Sequence, residues 1–177
     1  FCCTGATGLI RNLTVAEITG QVSAVLKHET ITGKLPNLVF MGMGEPLANY
    51  DNTLKSIKIF LTPDGFDFSH RRITVSTAGI IPLMKPLVSE TNVNLAISLN
   101  ASNSKTRDNL MPVNKQFPMK QLIETARSCI ISTRKRITFE YILIKNVNDS
   151  AENAKELAGT LSAIPCKINL IPFNEHP

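Results

Sequence analysis

Apolar positions along this chain switch repeatedly between two spacings. In some stretches they recur every three or four residues, and in others they form short unbroken runs. Ile18, Val22, Val25 and Leu26 fall on one face of a helix, which Thr14 would cap with Glu17 three residues later as a capping box. Leu54, Ile57, Ile59 and Phe60 predict a second helix, residues 80–88 a short one with Pro82 near its start, and 119–131 a longer one. Asn148-Asp149-Ser150 caps another, running to about Leu161. Between them, residues 38–41, 72–76, 93–98, 137–144 and 167–171 read as strands. The segment 101–118, with Pro112 and Pro118, predicts irregular structure. Strand–helix alternation with strands buried on both faces predicts an α/β fold with a parallel sheet. Five strands are in view, and Cys2 would follow a sixth. That count favours a partial (β/α)6 barrel with a curved sheet, and a doubly wound open sheet is the alternative.

The polar residues at the strand ends change this picture from a scaffold to a site. Met41-Gly42-Met43-Gly44-Glu45-Pro46 directly follows the run Leu38-Val39-Phe40. Gly42 and Gly44 let the backbone turn sharply and let a ligand approach the main chain. Glu45 offers an acceptor for an ammonium or hydroxyl, and Pro46 stiffens the exit. Taken alone, this is equally a tight strand-to-helix turn. However, Ser76, the run Ser98-Leu99-Asn100, and Asn174 also follow or end strands. In parallel barrels, ligand groups gather at the C-terminal ends of strands. The plainer alternative for Ser98 and Asn100 is a helix N-cap.

Composition narrows the class only slightly. The chain has 177 residues, 43% of them hydrophobic, enough for one sizeable core. Mean hydropathy is +0.04, and no apolar run reaches the ~18 residues of a membrane span. Nineteen Lys and Arg against fourteen Asp and Glu give a net charge of +5, which suits a polyanion such as RNA without demanding one. With no Trp and 6% aromatic residues, there is no evident base-stacking platform. Four cysteines in a chain this long do not form a disulfide framework. Cys129, in a helical pattern, and Cys166, opening a strand, read as small buried hydrophobes. Arg71-Arg72 and Arg134-Lys135-Arg136 precede strands and read as a solvated basic rim.

Six stretches together resemble a known family. They are Phe1-Cys2-Cys3-Thr4-Gly5, Arg11-Asn12-Leu13-Thr14, the Gly44-Glu45 turn, Val75-Ser76-Thr77-Ala78-Gly79, Ser98-Leu99-Asn100 and Ile171-Pro172-Phe173-Asn174. Their order resembles the radical S-adenosylmethionine (SAM) methyltransferases that modify C2 of adenine in 23S ribosomal and transfer RNA. The resemblance implies a radical SAM core domain over residues 1–177, truncated at both ends, with the fold of a partial (β/α)6 barrel. It implies a [4Fe-4S] cluster and SAM as cofactors. Cys2 would be the third of three cluster cysteines, with the other two upstream, while Cys3 stands where the family has Ala or Ser. Gly44 and Glu45 would meet the SAM amino group, and Ser76 its carboxylate or ribose. Ser98, Leu99 and Asn100 would flank the sulfonium and ribose, and Asn174 would reach the adenine or ribose. The family commonly has His where this chain has Asn100.

The implied reaction runs through a 5′-deoxyadenosyl radical and a methyl-cysteine intermediate, because adenine C2 is a poor nucleophile. The methyl-carrying and resolving cysteines would lie outside this chain, so no catalytic residue is assigned within it. The implied partners are ribosomal and transfer RNA and a flavodoxin-type electron donor, with no membrane. The implied setting is a monomer in the cytoplasm, or in an organelle if the source is eukaryotic. One rival is the sister enzyme that methylates adenine C8. Pro46 and the run Pro165-Cys166-Lys167-Ile168-Asn169-Leu170 look more like the C2 group. A radical-free barrel for a phosphorylated metabolite would need a glycine-rich phosphate loop near the last strands, and none is evident. A purely structural RNA-binding module would call for a larger basic surplus.

Overall fold

The structure is a computed structural model that describes residues 2–28 and 35–174; Phe1 of the first motif lies outside the described residues. Among the described residues, five strands form one sheet in the order β1-β2-β3-β4-β5, every pair parallel. They are β1 (Leu38–Phe40), β2 (Ile73–Thr77), β3 (Asn94–Ser98), β4 (Ile137–Leu143) and β5 (Cys166–Pro172). The helices are α1 (Cys3–Ala6), α2 (Val15–His28), α3 (Tyr50–Leu61), α4 (Ile81–Thr91), α5 (Ser104–Leu110), α6 (Met119–Thr133) and α7 (Ala151–Leu161).

The strand order decides between the two predicted architectures. A doubly wound sheet reverses direction, so its strands are not spatially in chain order. Here the order is monotonic. Right-handed crossovers in one direction place every connecting helix on the same face. Side-chain alternation agrees. Ile73, Val75, Leu95, Ile97, Ile137, Phe139 and Tyr141 all belong to the buried core with residues of α3, α4, α6 and α7. Thr74, Ser76, Asn94, Ser98 and Thr138 point to the other face and are only half-buried. The expectation of strands buried on both faces is therefore corrected: one face packs on helices, and the other is polar. The edge strand β1 is also less buried than its apolar run suggested, with Val39 52% exposed.

Most elements form for the reasons the sequence gives. The Thr14–Glu17 capping box is present: Thr14 N donates to Glu17 Oε2 at 2.9 Å, and Glu17 N donates to Thr14 Oγ1 at 3.3 Å. Ile18, Val22 and Leu26 of α2 pack against the core, but Val25 is 55% exposed. Ile59 of α3 likewise faces outward, while Phe60 beside it is fully buried against Phe66, with ring centroids 5.1 Å apart. Truncating such a ring to Ala costs about 3–5 kcal/mol. Ser150 caps α7 in a full capping box with Asn153.

The segment 101–118 departs from expectation, since it holds α5 and a 3-10 turn, Pro112–Lys115. Asn103 caps α5 by accepting from Thr106 N at 2.9 Å. This short helix carries Arg107, which is fully buried. Its Nη2 donates to the carbonyls of Ala78 (2.7 Å) and Ser98 (3.1 Å), its Nε to that of Leu99 (3.2 Å), and its Nη1 to Asn114 Oδ1 (2.9 Å). One guanidinium thus joins the ends of β2 and β3. Desolvation lowers its pKa to about 10, so it stays charged at neutral pH. Gly79 makes room beside it: at φ +111°, a Cβ there would meet Leu122 Cδ1 at 3.0 Å.

Two outcomes are expected. In the intact protein, Arg107→Met should lower urea-unfolding stability by about 3–5 kcal/mol, the range for breaking a buried charged network. A loss under about 1 kcal/mol would mean that those carbonyls find other donors. Separately, Glu17 is held down from its ordinary 4.5 to about 2, chiefly by the Arg11 guanidinium and then by the Thr14 N–H and hydroxyl. A carboxylate with a lowered folded pKa adds stability that is present above 4.5 and lost as pH falls through about 2. The carboxyl carbon resonance of Glu17, followed by NMR, should therefore titrate near 2; a midpoint near 4.5 would count against the capped, ion-paired start of α2.

Candidate functional site at the strand C-terminal rim

Because all strands run the same way, their C-terminal ends form one rim. The sequence-predicted residues reach it along four of the five strands. After β1 the chain passes Gly42 (φ +113°) and Gly44 (φ +80°), both in a region that disfavours side chains. No atom lies within 4 Å of where a Cβ would sit on either, so the backbone of this turn is open to an approaching ligand.

Glu45 is not the free strand-end carboxylate the sequence suggested. Its Oε1 accepts from Leu47 N at 2.9 Å, capping the 3-10 turn Pro46–Asn49. Its Oε2 accepts from Ala78 N at 2.6 Å, in the loop after β2. The carboxylate therefore ties two rim loops together. Each oxygen keeps a second lone-pair direction, so it can still accept from a ligand.

Ser76 and Ser98 lie on the polar face of the sheet, half-buried. Ser76 is paired with Ala96, so Ser98 stands two residues nearer the rim. Neither hydroxyl forms a hydrogen bond among the described residues, so both remain available.

Leu99 and Asn100 point the other way. Leu99 is fully buried in the core, and its carbonyl accepts from Arg107. Asn100, 2% exposed, has φ +55°, a left-handed conformation that Asn tolerates better than most residues. Its Oδ1 accepts from Ile142 N at 2.9 Å, its Nδ2 contacts Met111 Sδ at 3.4 Å, and its carbonyl accepts from Asn148 Nδ2 at 2.8 Å. Neither Ser98 nor Asn100 caps a helix; Asn103 does so instead. Asn174 is exposed, two residues beyond β5. Phe173 N donates to Leu143 O at 3.1 Å, which fixes the chain just before it.

Cys2 is exposed and caps α1, its Sγ accepting from Gly5 N at 3.4 Å. The segment it opens leads to Leu13, whose carbonyl accepts from Asn49 Nδ2 (2.8 Å) and Asn52 Nδ2 (3.2 Å), just past the Glu45 turn. Cys129 is buried in α6, and Cys166 is half-buried at the start of β5, away from the rim. Burial pushes both thiols upward, consistent with a packing role. Among the described residues, no group of three or more His, Cys, Asp or Glu is arranged to hold a metal. Cys2 alone does not make a cluster site.

Three groups escaped the sequence reading: Arg107, the Ala78 amide and Glu140. Glu140, 8% exposed, is paired in register with Ser98 and Asn169 on the polar face. Only its odd polarity within the run Ile137–Leu143 could have flagged it.

No protein-family model matches the chain. The dual-specificity RNA methyltransferase RlmN of Desulfosudis oleivorans is 54% identical over 177 residues, covering 99% of this chain and 48% of that protein. The protein of the same name from Geotalea uraniireducens is 50% identical over 176 residues, covering 99% and 50%. A crystal structure of a radical SAM methyltransferase from Sphaerobacter thermophilus matches with TM-score 0.96 at 45% identity, covering 100% of this chain and 52% of that one. The chain thus spans about half the length of the relatives it matches. Over nearly its whole length, at about half identity and on a superposable sheet whose rim carries the resembling motifs, the chain is similar to the RlmN proteins and to a radical SAM methyltransferase of known structure.

Proposed function

We propose that the protein carrying this chain methylates C2 of an adenine in 23S ribosomal RNA and in transfer RNAs, and that this chain supplies the SAM-binding rim. The observation that carries the reading is the rim itself: open glycine backbone, a carboxylate with spare lone pairs and two unengaged hydroxyls at the ends of adjacent strands. These groups match SAM, which presents an ammonium, a carboxylate and a ribose diol. The dual-specificity names of the relatives favour ribosomal and transfer RNA as substrates. Pro46 and the run from Pro165 to Leu170 favour C2 over the C8 chemistry of the sister enzyme.

Each residue then has a physical task. Glu45 and the Gly44 carbonyl accept from the SAM ammonium, which a carboxylate binds with strong charge-assisted hydrogen bonds. Ser76 donates to the carboxylate or ribose, Ser98 meets the ribose beside the sulfonium, and Asn174 reaches the adenine or ribose. Leu99 and Asn100 act through position: their backbone and amide contacts hold Ser98 at the rim, so Asn replaces His here without losing that role. A [4Fe-4S] cluster, when bound, supplies the electron that cleaves SAM. Cys2 would provide one thiolate to it, and two more donors must come from elsewhere in the protein. A flavodoxin-type donor, a monomeric state and a cytoplasmic setting complete the reading. Among the described residues, no helix is long and apolar enough to cross a membrane.

Two experiments on the intact protein check this. Ser76→Ala removes a hydroxyl with no protein partner, so it should leave the melting temperature unchanged and weaken SAM binding roughly 2- to 12-fold by calorimetry, the worth of one hydrogen bond. Glu45→Ala should do more, losing about 1 kcal/mol of stability as a cap as well as SAM affinity. If both variants fold and bind SAM as the wild type does, the rim is not the SAM site. For the cluster, Cys2→Ala should abolish stable iron and sulfide incorporation after anaerobic reconstitution, while Cys3→Ala retains it. The reverse pattern would shift the ligand by one residue.

A further inference from the structure

The opposite end of the sheet holds a second cavity, of about 580 Å³. Four cations line it: Arg71 before β2, Lys135 and Arg136 before β4, and Lys167 in β5. Its floor is made by Thr74, Asn94 and Thr138, on three adjacent strands of the polar face. No carboxylate is among these lining residues. Three of the five basic residues that read as a solvated rim, Arg71, Lys135 and Arg136, thus converge on one concave socket together with Lys167.

Three of these four cations, Arg71, Arg136 and Lys167, have no carboxylate partner among the described residues, whose two surface ion pairs, Arg11–Glu17 and Lys58–Glu90, lie elsewhere. The cations are also partly fixed. Asn94 Nδ2 donates to the Arg71 carbonyl at 2.8 Å, and Lys135 Nζ donates to the Asn92 carbonyl. Both neighbouring titratable groups register the field. Burial and then Arg71 lower the pKa of Lys135, and burial, Lys135 and Arg71 lower that of His70. Gathering like charges around a concavity costs energy that a bound anion offsets.

We propose that this cavity is a binding site for a phosphate-bearing anion. Several positive charges suit an anion carrying more than one negative charge. Guanidinium groups match phosphate oxygens in pairs, and the threonine hydroxyls and asparagine amide supply neutral donors beneath. The volume falls in the range of small-ligand sites. The socket opens at the other end of the strands from the rim, and its floor approaches it: at about 3.3 Å per residue, Thr74 lies about 7 Å before Ser76 along β2, and Asn94 about 13 Å before Ser98 along β3. The proposal does not depend on the methyl-transfer reading. The phosphate can belong to a free small molecule or to an RNA backbone, and the two sources are separable by experiment.

The test uses the intact protein, with inorganic pyrophosphate and a 12-nucleotide single-stranded RNA as probes, titrated at low salt. The variant is Arg136→Glu with Lys167→Glu, both exposed side chains; Lys167→Gln alone serves if the double variant does not fold. Pyrophosphate binding that falls by about tenfold or more in the variant, with SAM affinity unchanged, supports a free phosphorylated ligand. The same loss seen with RNA alone assigns the socket to a backbone phosphate. If neither probe binds more weakly to a folded variant, or if another segment of the intact protein fills the socket, the proposal is overturned.

Discussion

The rim of this sheet depends on a buried charge. Arg107 reaches up from a seven-residue helix and donates to three backbone carbonyls, two in the loop and strand end of β3 and one after β2. Strand ends are where ladder hydrogen bonding stops, and carbonyls left there without donors cost free energy. A loop glycine or water could satisfy one. A guanidinium satisfies several at once and fixes their spacing, because its fork is planar and rigid. Ser98 therefore stands on a backbone held from below, and Ala78, whose amide Glu45 clamps, is held through its carbonyl by the same group. The turn that carries Glu45 and the strand ends that carry Ser76 and Ser98 are thereby coupled into one frame.

This coupling gives Glu45 two tasks that need not conflict. A carboxylate has room for about four hydrogen bonds, and two are used in capping and stapling. Its remaining acceptor directions are preorganised by those same bonds, so little rotamer entropy remains to be lost when a ligand binds. The flexible alternative, an unattached glutamate on a glycine turn, would have to be ordered at each binding event. The open glycines beside it serve the complementary need, leaving main-chain groups accessible where a side chain would block them.

Much of the fold was legible because it rests on local rules. The capping box at Thr14, the helix cap at Ser150 and the five apolar strand runs all appear where spacing put them. Two expectations differ from the structure for physical reasons. Continuous apolar runs suggest strands buried on both faces, yet one face carries Thr74, Ser76, Asn94, Ser98, Thr138 and Glu140. Segment 101–118 was read as irregular because its prolines mask a short helix whose stability comes from Asn103 and from burying Arg107, a tertiary effect no window can see. Asn100 also has a left-handed backbone and a buried amide that joins β3 to β4, contacts that its sequence neighbours do not reveal. Which end of the sheet gathers Glu45, Ser76, Ser98 and Asn174 was legible, since strand direction fixes it. Which polar atoms remain free for a ligand was not, since that depends on partners distant in sequence, such as Ala78 for Glu45.

The same monotonic strand order that gathers the rim also produces the basic socket at the other end. With all helices on one face, the polar face is shared by two ends of opposite character. The C-terminal end carries hydroxyls, an amide and a carboxylate, while the N-terminal end carries cations from the residues that lead into β2 and β4 and from Lys167 near the start of β5. In a parallel sheet these residues converge because the strands start near one end, with Thr74 paired to Asn94 and Thr138 to Ala96 two residues on. A chain of modest net charge can thus present a locally strong field, because its topology sorts cations to one end of the polar face. Net charge alone said little about partners; the placement of a few cations by parallel strands says considerably more.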